Sequence, residues 1–260
     1  MWRFVLGVVL IAGHFLTAAW FKGRVARLMA RVGEGSTVPM TGEIPEVVRE
    51  FVRRAGVEGS TARTVRYRQA ARMLFDPEGS WQEITAVQVF GVETASFVWF
   101  AEWRFGPLAL VRVVDALVDD AGRFEVRLLG TLPLGCVTGP ELDRGEAMRY
   151  LAELPWVPEA MVRNGSLRWR ELDDRRVEVS MDTSGGPATV RLIFEDGDVV
   201  AIEADDRPRQ EGKVSVERPW EGRFWEYRSI GGRRVPAKAE VSWVLPEGRF
   251  AYFRGEMLDG

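Results

Sequence analysis

Beyond residue 62 the hydrophobic pattern of this chain has a period of two, and it keeps that period almost to its last residue. Candidate strands cover 63–75, 81–92, 96–105, 108–118 and 123–132, and again 166–173, 176–182, 188–195, 198–205, 223–230, 236–245 and 249–257. Short turns separate them, among them DPEGS at 76–80, DDAG at 119–122 and SGG at 184–186. Strands joined this closely pair antiparallel. A sheet of about a dozen strands curls instead of staying flat. The expected fold is therefore mainly β (α+β), a large curved antiparallel half-barrel or barrel. Val177, Val179 and Met181 alternate with Glu178, Ser180 and Asp182, the pattern of a sheet with one wet face. SFVWFAEWRF and PLALVRVVDAL are apolar on both faces for much of their length. Such strands are covered on both sides, by a helix, another sheet or a ligand.

Two segments, one before that run and one inside it, carry a helical period instead. In IPEVVREFVRRAG, residues Ile44, Val47, Val48, Phe51 and Val52 form one helical stripe, with Pro45 at the start and Gly56 at the stop. In GPELDRGEAMRYLAELPW, Pro140 starts a central helix near 140–154, Glu141 and Asp143 suit its first turn, and Pro155 ends it. Laid across the open mouth of a curled sheet, this helix would cover the concave apolar face. Glu146, Arg149, Tyr150 and Glu153 share one side of it, opposite Ala147, Met148, Leu151 and Leu154. Spacing alone favours a solvated polar side laced by helix ion pairs. The other reading turns that cluster into a cavity.

Phe4 to Phe21, FVLGVVLIAGHFLTAAWF, carries no formal charge. As a helix it would span about 27 Å, close to the hydrocarbon thickness of a bilayer. Trp2 and Trp20 stand near its ends, where interfacial tryptophan is favoured. The segment is expected to be an uncleaved transmembrane anchor (1–22), followed by a basic stem and linker (23–43) and one β domain (44–260). The expected localisation is the cell membrane, single-pass, with membrane lipid as the partner of residues 4–21. Lys22, Arg24, Arg27 and Arg31 follow the segment while only Arg3 precedes it. The charge rule thus leans toward a cytoplasmic domain, although the same residues could lie on lipid as a stem. The overall charge of −3 conceals a net −7 over residues 41–260. An acidic domain is repelled by phosphate backbones, so nucleic acid is not an expected partner.

Much chemistry is excluded. The single histidine, His14, lies in the anchor, so the domain has none for a triad, a general base or a zinc site. The single cysteine, Cys136, sits among neutral neighbours and reads as a small buried or turn residue. No phosphate-cradle or dinucleotide motif is present, and no metal or cofactor is expected. Carboxylates remain: Glu141, Asp143, Glu146 and Glu153 are the candidate acids, bases or hard-cation ligands. The DDRPR run at 205–209 reads first as a surface turn, and second as Asp206 with Arg207 or Arg209 forming a buried pair or meeting an anionic head group.

The run GPELDRGEAMRYLAELPWVPEAM at 139–161 resembles the signature of an uncharacterised bacterial family of unknown function. FVRRAG, AVQVF, SFVWFAEW, DDRPR, RPWEG and GRRVPAKAEVSWVLPEGRFAYFRG agree with that family, so the resemblance covers about 45–257. It implies no activity. In outline the family is similar to the lipoprotein-carrier fold, a curved antiparallel sheet with helices plugging its concave face. The leading expectation is a membrane-tethered protein that binds a lipid or other apolar ligand. Phe90, Phe97, Trp99, Trp103 and Trp243 are the candidate cavity lining, and Arg149 and Tyr150 the candidate polar contacts. The alternatives are an interaction module of a membrane complex and a carboxylate-dependent enzyme.

Overall fold

The computed structural model describes residues 2–212 and 214–260, with side chains described from Leu16 onward. Helix α1 (Trp2–Arg31) leads to α2 (Glu46–Ala55). An antiparallel meander follows: β1 (Thr64–Met73), β2 (Gln82–Gly91), β3 (Phe97–Phe105), β4 (Leu108–Val118), β5 (Ala121–Leu128) and β6 (Leu132–Val137). Helix α3 (Pro140–Ala152), a single 3-10 turn (Leu154–Trp156) and α4 (Pro158–Arg163) then cross over. A second meander returns: β7 (Arg168–Glu171), β8 (Arg176–Met181), β9 (Ala188–Glu195), β10 (Asp198–Glu211), β11 (Val214–Ile230), β12 (Arg233–Leu245) and β13 (Gly248–Asp259).

All thirteen strands among the described residues belong to one sheet, in the order β6-β5-β4-β3-β2-β1-β13-β12-β11-β10-β9-β8-β7. The first strand therefore lies at the centre and pairs with the last, with Tyr67 opposite Asp259 and Met73 opposite Phe253. Each meander grows outward to its own edge, and the helical crossover spans the gap between those edges. Helix α3 packs against β4 and β5 of one meander and against β8, β9 and β10 of the other. The sheet is a half-barrel, and α3 closes its open side.

Alternation fixes which side chains enter. In β1, Val65, Tyr67, Gln69 and Ala71 are buried while their neighbours are exposed. Register carries that inward row across: Gln69 faces Ala86, Ala86 faces Ala101, and Ala101 faces Val113. The outer surface carries polar pairs, such as Arg191 with Asp205 and Arg254 with Glu240.

Helix α2 follows the expected stripe. Val48, Phe51, Val52 and Ala55 are buried, and Phe51 meets Phe194 and Tyr227 edge to face. Gly56, at φ 72°, ends the helix in the left-handed conformation that glycine takes without strain. The N-terminus of α3 is pinned from both meanders. Asp143 accepts from the Gly122 amide (2.6 Å) and from the Ser184 hydroxyl. A side chain at Gly185 would strike the Pro140 carbonyl at 2.0 Å, so glycine permits that approach.

Five expectations need correction. Both sides of α3 are buried, Glu146 included, so its charged side is not solvated. The 205–209 segment is not a surface turn but the middle of β10, which reaches Glu211, and 214–222 begins β11. An edge strand, β6, forms where no separate strand was expected, because proline and glycine are tolerated at sheet edges. Cys136 lies on that edge and is exposed. The α-helices number four among the described residues, not the three expected, because Pro158–Arg163 forms one more. Among the described residues no helix is long and apolar enough to cross a membrane. The anchor expected at 4–21 falls mostly on residues whose side chains are outside that description. The described part of α1 continues through residues 23–31 and docks on the outer face, with Phe21 and Val25 packed near Val98, Val114 and Phe100.

Candidate functional site

Between α3 and the sheet lies a cavity of about 280 Å³. Its walls are chiefly apolar, from Val111, Val113 and Val126 on one side to Val241, Phe253 and Met257 on the other. Phe75 lines it yet is exposed, so the cavity opens at the strand end where the β1–β2 turn lies. The bulk of the inward row decides where space is left. Gly222 and Gly255, both in the lining, leave the wall without a side chain at two positions. Dense packing elsewhere makes that deficit a hollow.

At its inner end the cavity meets a buried polar chain. Trp99 Nε1 donates to Gln69 Oε1 (2.8 Å), Gln69 Nε2 to Gln88 Oε1 (2.7 Å), and Gln88 Nε2 to Glu153 Oε2 (2.5 Å). Arg149 Nε donates to Glu153 Oε1 (2.9 Å), and its Nη1 to Asp115 Oδ2 (2.5 Å). The Arg149 guanidinium also lies 5.0 Å from the Phe97 ring centre and 5.2 Å from that of Trp99. Burial works against the Arg149 cation, but Glu153 and Asp115 outweigh it and hold it charged. Burial raises the Glu153 carboxyl, and Arg149 and Gln88 offset part of that. Glu146 is pushed well above the carboxylate range, first by burial and then by the Asp115 carboxylate, against opposing pulls from Arg207 and Arg149. It therefore favours its neutral form, whose proton suits the otherwise unmatched Asp115 Oδ1.

The structure places the expected site residues unevenly. Trp99, Arg149 and Glu153 line the cavity. Phe90, Phe97 and Tyr150 stand fully buried in the core, where the Tyr150 hydroxyl donates to the Gly91 carbonyl (3.0 Å). Trp103 and Trp243 pack half-buried against the core, and Trp243 stacks on Tyr252 (6.0 Å). Glu141 is exposed, whereas Asp143 is committed to holding two turns together. Sequence reasoning missed Gln69, Gln88 and Asp115, and named Arg207 only as a second reading of the 205–209 run. The first three sit at inward positions of alternating strands, so a polar residue out of phase was the available signal.

Arg207 comes from a local irregularity. The β10–β11 register shifts between Ala204 and Arg207, so Asp205 and Asp206 both turn away and Arg207 enters. Asp206 pairs with Arg144 of α3. The Arg207 guanidinium lies 4.1 Å from the Trp220 ring centre and is 8% exposed.

A curved antiparallel sheet roofed by a helix over an apolar hollow defines the half-barrel class. Residues 36–255 match the family of unknown function DUF6544, and the chain belongs to that family. No curated protein matches. Among solved structures the chain is similar in outline to a LolA superfamily protein from Nitrosomonas europaea (TM-score 0.44, 10% identity, 82% of this chain and 93% of that one). It is similar also to a DUF1329 family protein from Desulfovibrio piger (0.46, 9%, 84% and 92%). A third is a domain from Vibrio parahaemolyticus assigned by name to outer membrane lipoprotein sorting (0.47, 9%, 82% and 89%).

Proposed function

We propose that this protein is a membrane-tethered binding protein that holds a lipid or other apolar molecule between α3 and the half-barrel. The observation that carries the reading is the cavity itself: apolar walls, an open end, and a few convergent polar groups at its inner end. Ligand pockets combine those features, and their volumes run from roughly 300 to 1,000 Å³. Polar side chains here are paired into a chain that holds the roof in place, which suits binding better than turnover.

Tethering has separate support. The turns β1–β2, β3–β4 and β5–β6 share one end of the sheet, the end where the cavity opens. Phe75, Phe105, Leu108, Leu132 and Leu134 are exposed there. A cluster of exposed apolar side chains on one rim suits a lipid surface. Along α1, Arg31 pairs with Asp119 at the far end, while Trp20 stacks with Arg127 nearer the rim. The chain preceding Trp20 thus heads toward the apolar rim. In this reading residues 4–21 anchor the protein, and the mouth faces the bilayer from which a ligand partitions.

The test is mass spectrometry of an organic extract from the purified full chain, beside Val113→Trp, which places a large ring in the cavity. One apolar species enriched over the detergent background and lost in the variant is the expected result. Identical extracts from the two proteins would refute the reading.

A further inference from the structure

The cavity's charges do not close among themselves. Asp115 and Glu153 both form their ion pairs with Arg149. Among the described residues, no carboxylate forms an ion pair with Arg207 within 4.0 Å, and its buried Nε has no hydrogen-bond partner. Asp206 is engaged by Arg144, and Arg209 on the same strand is tied to Glu211. The Trp220 face offers a cation–π contact, which replaces only part of a guanidinium's hydration. Arginine does not shed its proton, so burial cannot be relieved by neutralisation. Glu146, on α3, is the acid closest to relieving it, and it sits against the Asp115 carboxylate. A buried cation facing an apolar hollow is costly unless something anionic meets it.

We propose that the cavity takes a single-chain anionic amphiphile, its carboxylate or phosphate seated on Arg207 and its chain running past Val113, Val241 and Phe253 to the mouth at Phe75. This inference rests on the cavity being a ligand pocket, and adds the class of ligand. A volume of about 280 Å³ is too small for a two-chain lipid and suits one chain. The planar fork of Arg207 matches two oxygens of either head group. The bulge decides which residue enters: by strict alternation Asp206, not Arg207, would follow the inward-facing Ala204.

Isothermal titration of the full chain in neutral phosphatidylcholine nanodiscs, with heats from empty nanodiscs subtracted, compares dodecanoate, dodecyl phosphate and dodecanol. At about pH 8 the wild type should bind at least one of the two anions about tenfold or more tighter than dodecanol. Which anion is favoured separates a carboxylate from a phosphate source. Arg207→Gln should bring the three affinities within about threefold of one another, the anions losing far more than dodecanol. Should that variant not fold, Arg207→Lys keeps the charge without the fork and should lose several-fold of the selectivity. Equal affinities in the wild type, or selectivity that persists in the Arg207 variant, overturn the anionic assignment while the apolar pocket stands. No binding of any of the three probes overturns the pocket, and this inference with it.

Discussion

Helices α2 and α3 both lie on the concave face of the same sheet, yet they meet it differently. Helix α2 buries Val48, Phe51, Val52 and Ala55 against aromatic rings and leaves its charges in water. Helix α3 buries Asp143, Arg144, Glu146 and Tyr150 along with its apolar residues. A dry contact is filled by shape alone. Long polar side chains that must reach specific partners hold the helix off the sheet, and the space beneath it is the cavity. The polar network therefore specifies where α3 sits more than it adds stability, since buried charge pairs repay little beyond their desolvation.

That contrast can be broken most forcefully at Arg149. Arg149→Ala leaves Asp115 and Glu153 buried without their shared partner, and should lower the unfolding free energy by roughly 3–5 kcal/mol in chemical denaturation. Under α2 the response should follow volume. Val48→Ala removes two methyl carbons from a fully buried site and should cost about 2 kcal/mol, with probe affinity unchanged.

Glu146 sharpens the comparison through pH. Its folded-state pKa is raised, so the native state holds a proton that the unfolded chain releases. Its contribution is present below the ordinary glutamate pKa of about 4.3 and is lost as pH rises through the raised folded value. Thermal melts should show Glu146→Gln more stable than wild type at about pH 8, with the gap closing as pH falls toward that ordinary value. No such convergence should appear for Val48→Ala. The smallest effect belongs to the outer face: Arg191→Ala breaks an ion pair with the exposed Asp205 and should shift stability by less than about 1 kcal/mol.

The same contrast explains how legible each region was. The stripe of α2 is apolar at helical spacing, so the residues themselves name the buried side. In α3 the spacing separates Glu146, Arg149 and Glu153 from Met148 and Leu151, but cannot say whether the polar side meets water or Gln88 and Asp115 on distant strands. The period of two revealed the curved sheet and most strand boundaries. It failed at Leu132–Val137, where Pro133 and Gly135 read as turn residues on what is an edge strand. It failed again across 206–222, where Pro208 and paired aspartates disguise a bulged strand. Arg207 was legible only as a member of a charged run, because its inward direction depends on that bulge.

The central claim is that the hollow under α3 is kept open for a ligand, and filling it tests this most directly. Val113→Trp should abolish dodecanol binding in the nanodisc titration while melting at or above the wild-type temperature, because the new ring occupies space already present. Undiminished binding by a folded Val113→Trp protein would contradict the account.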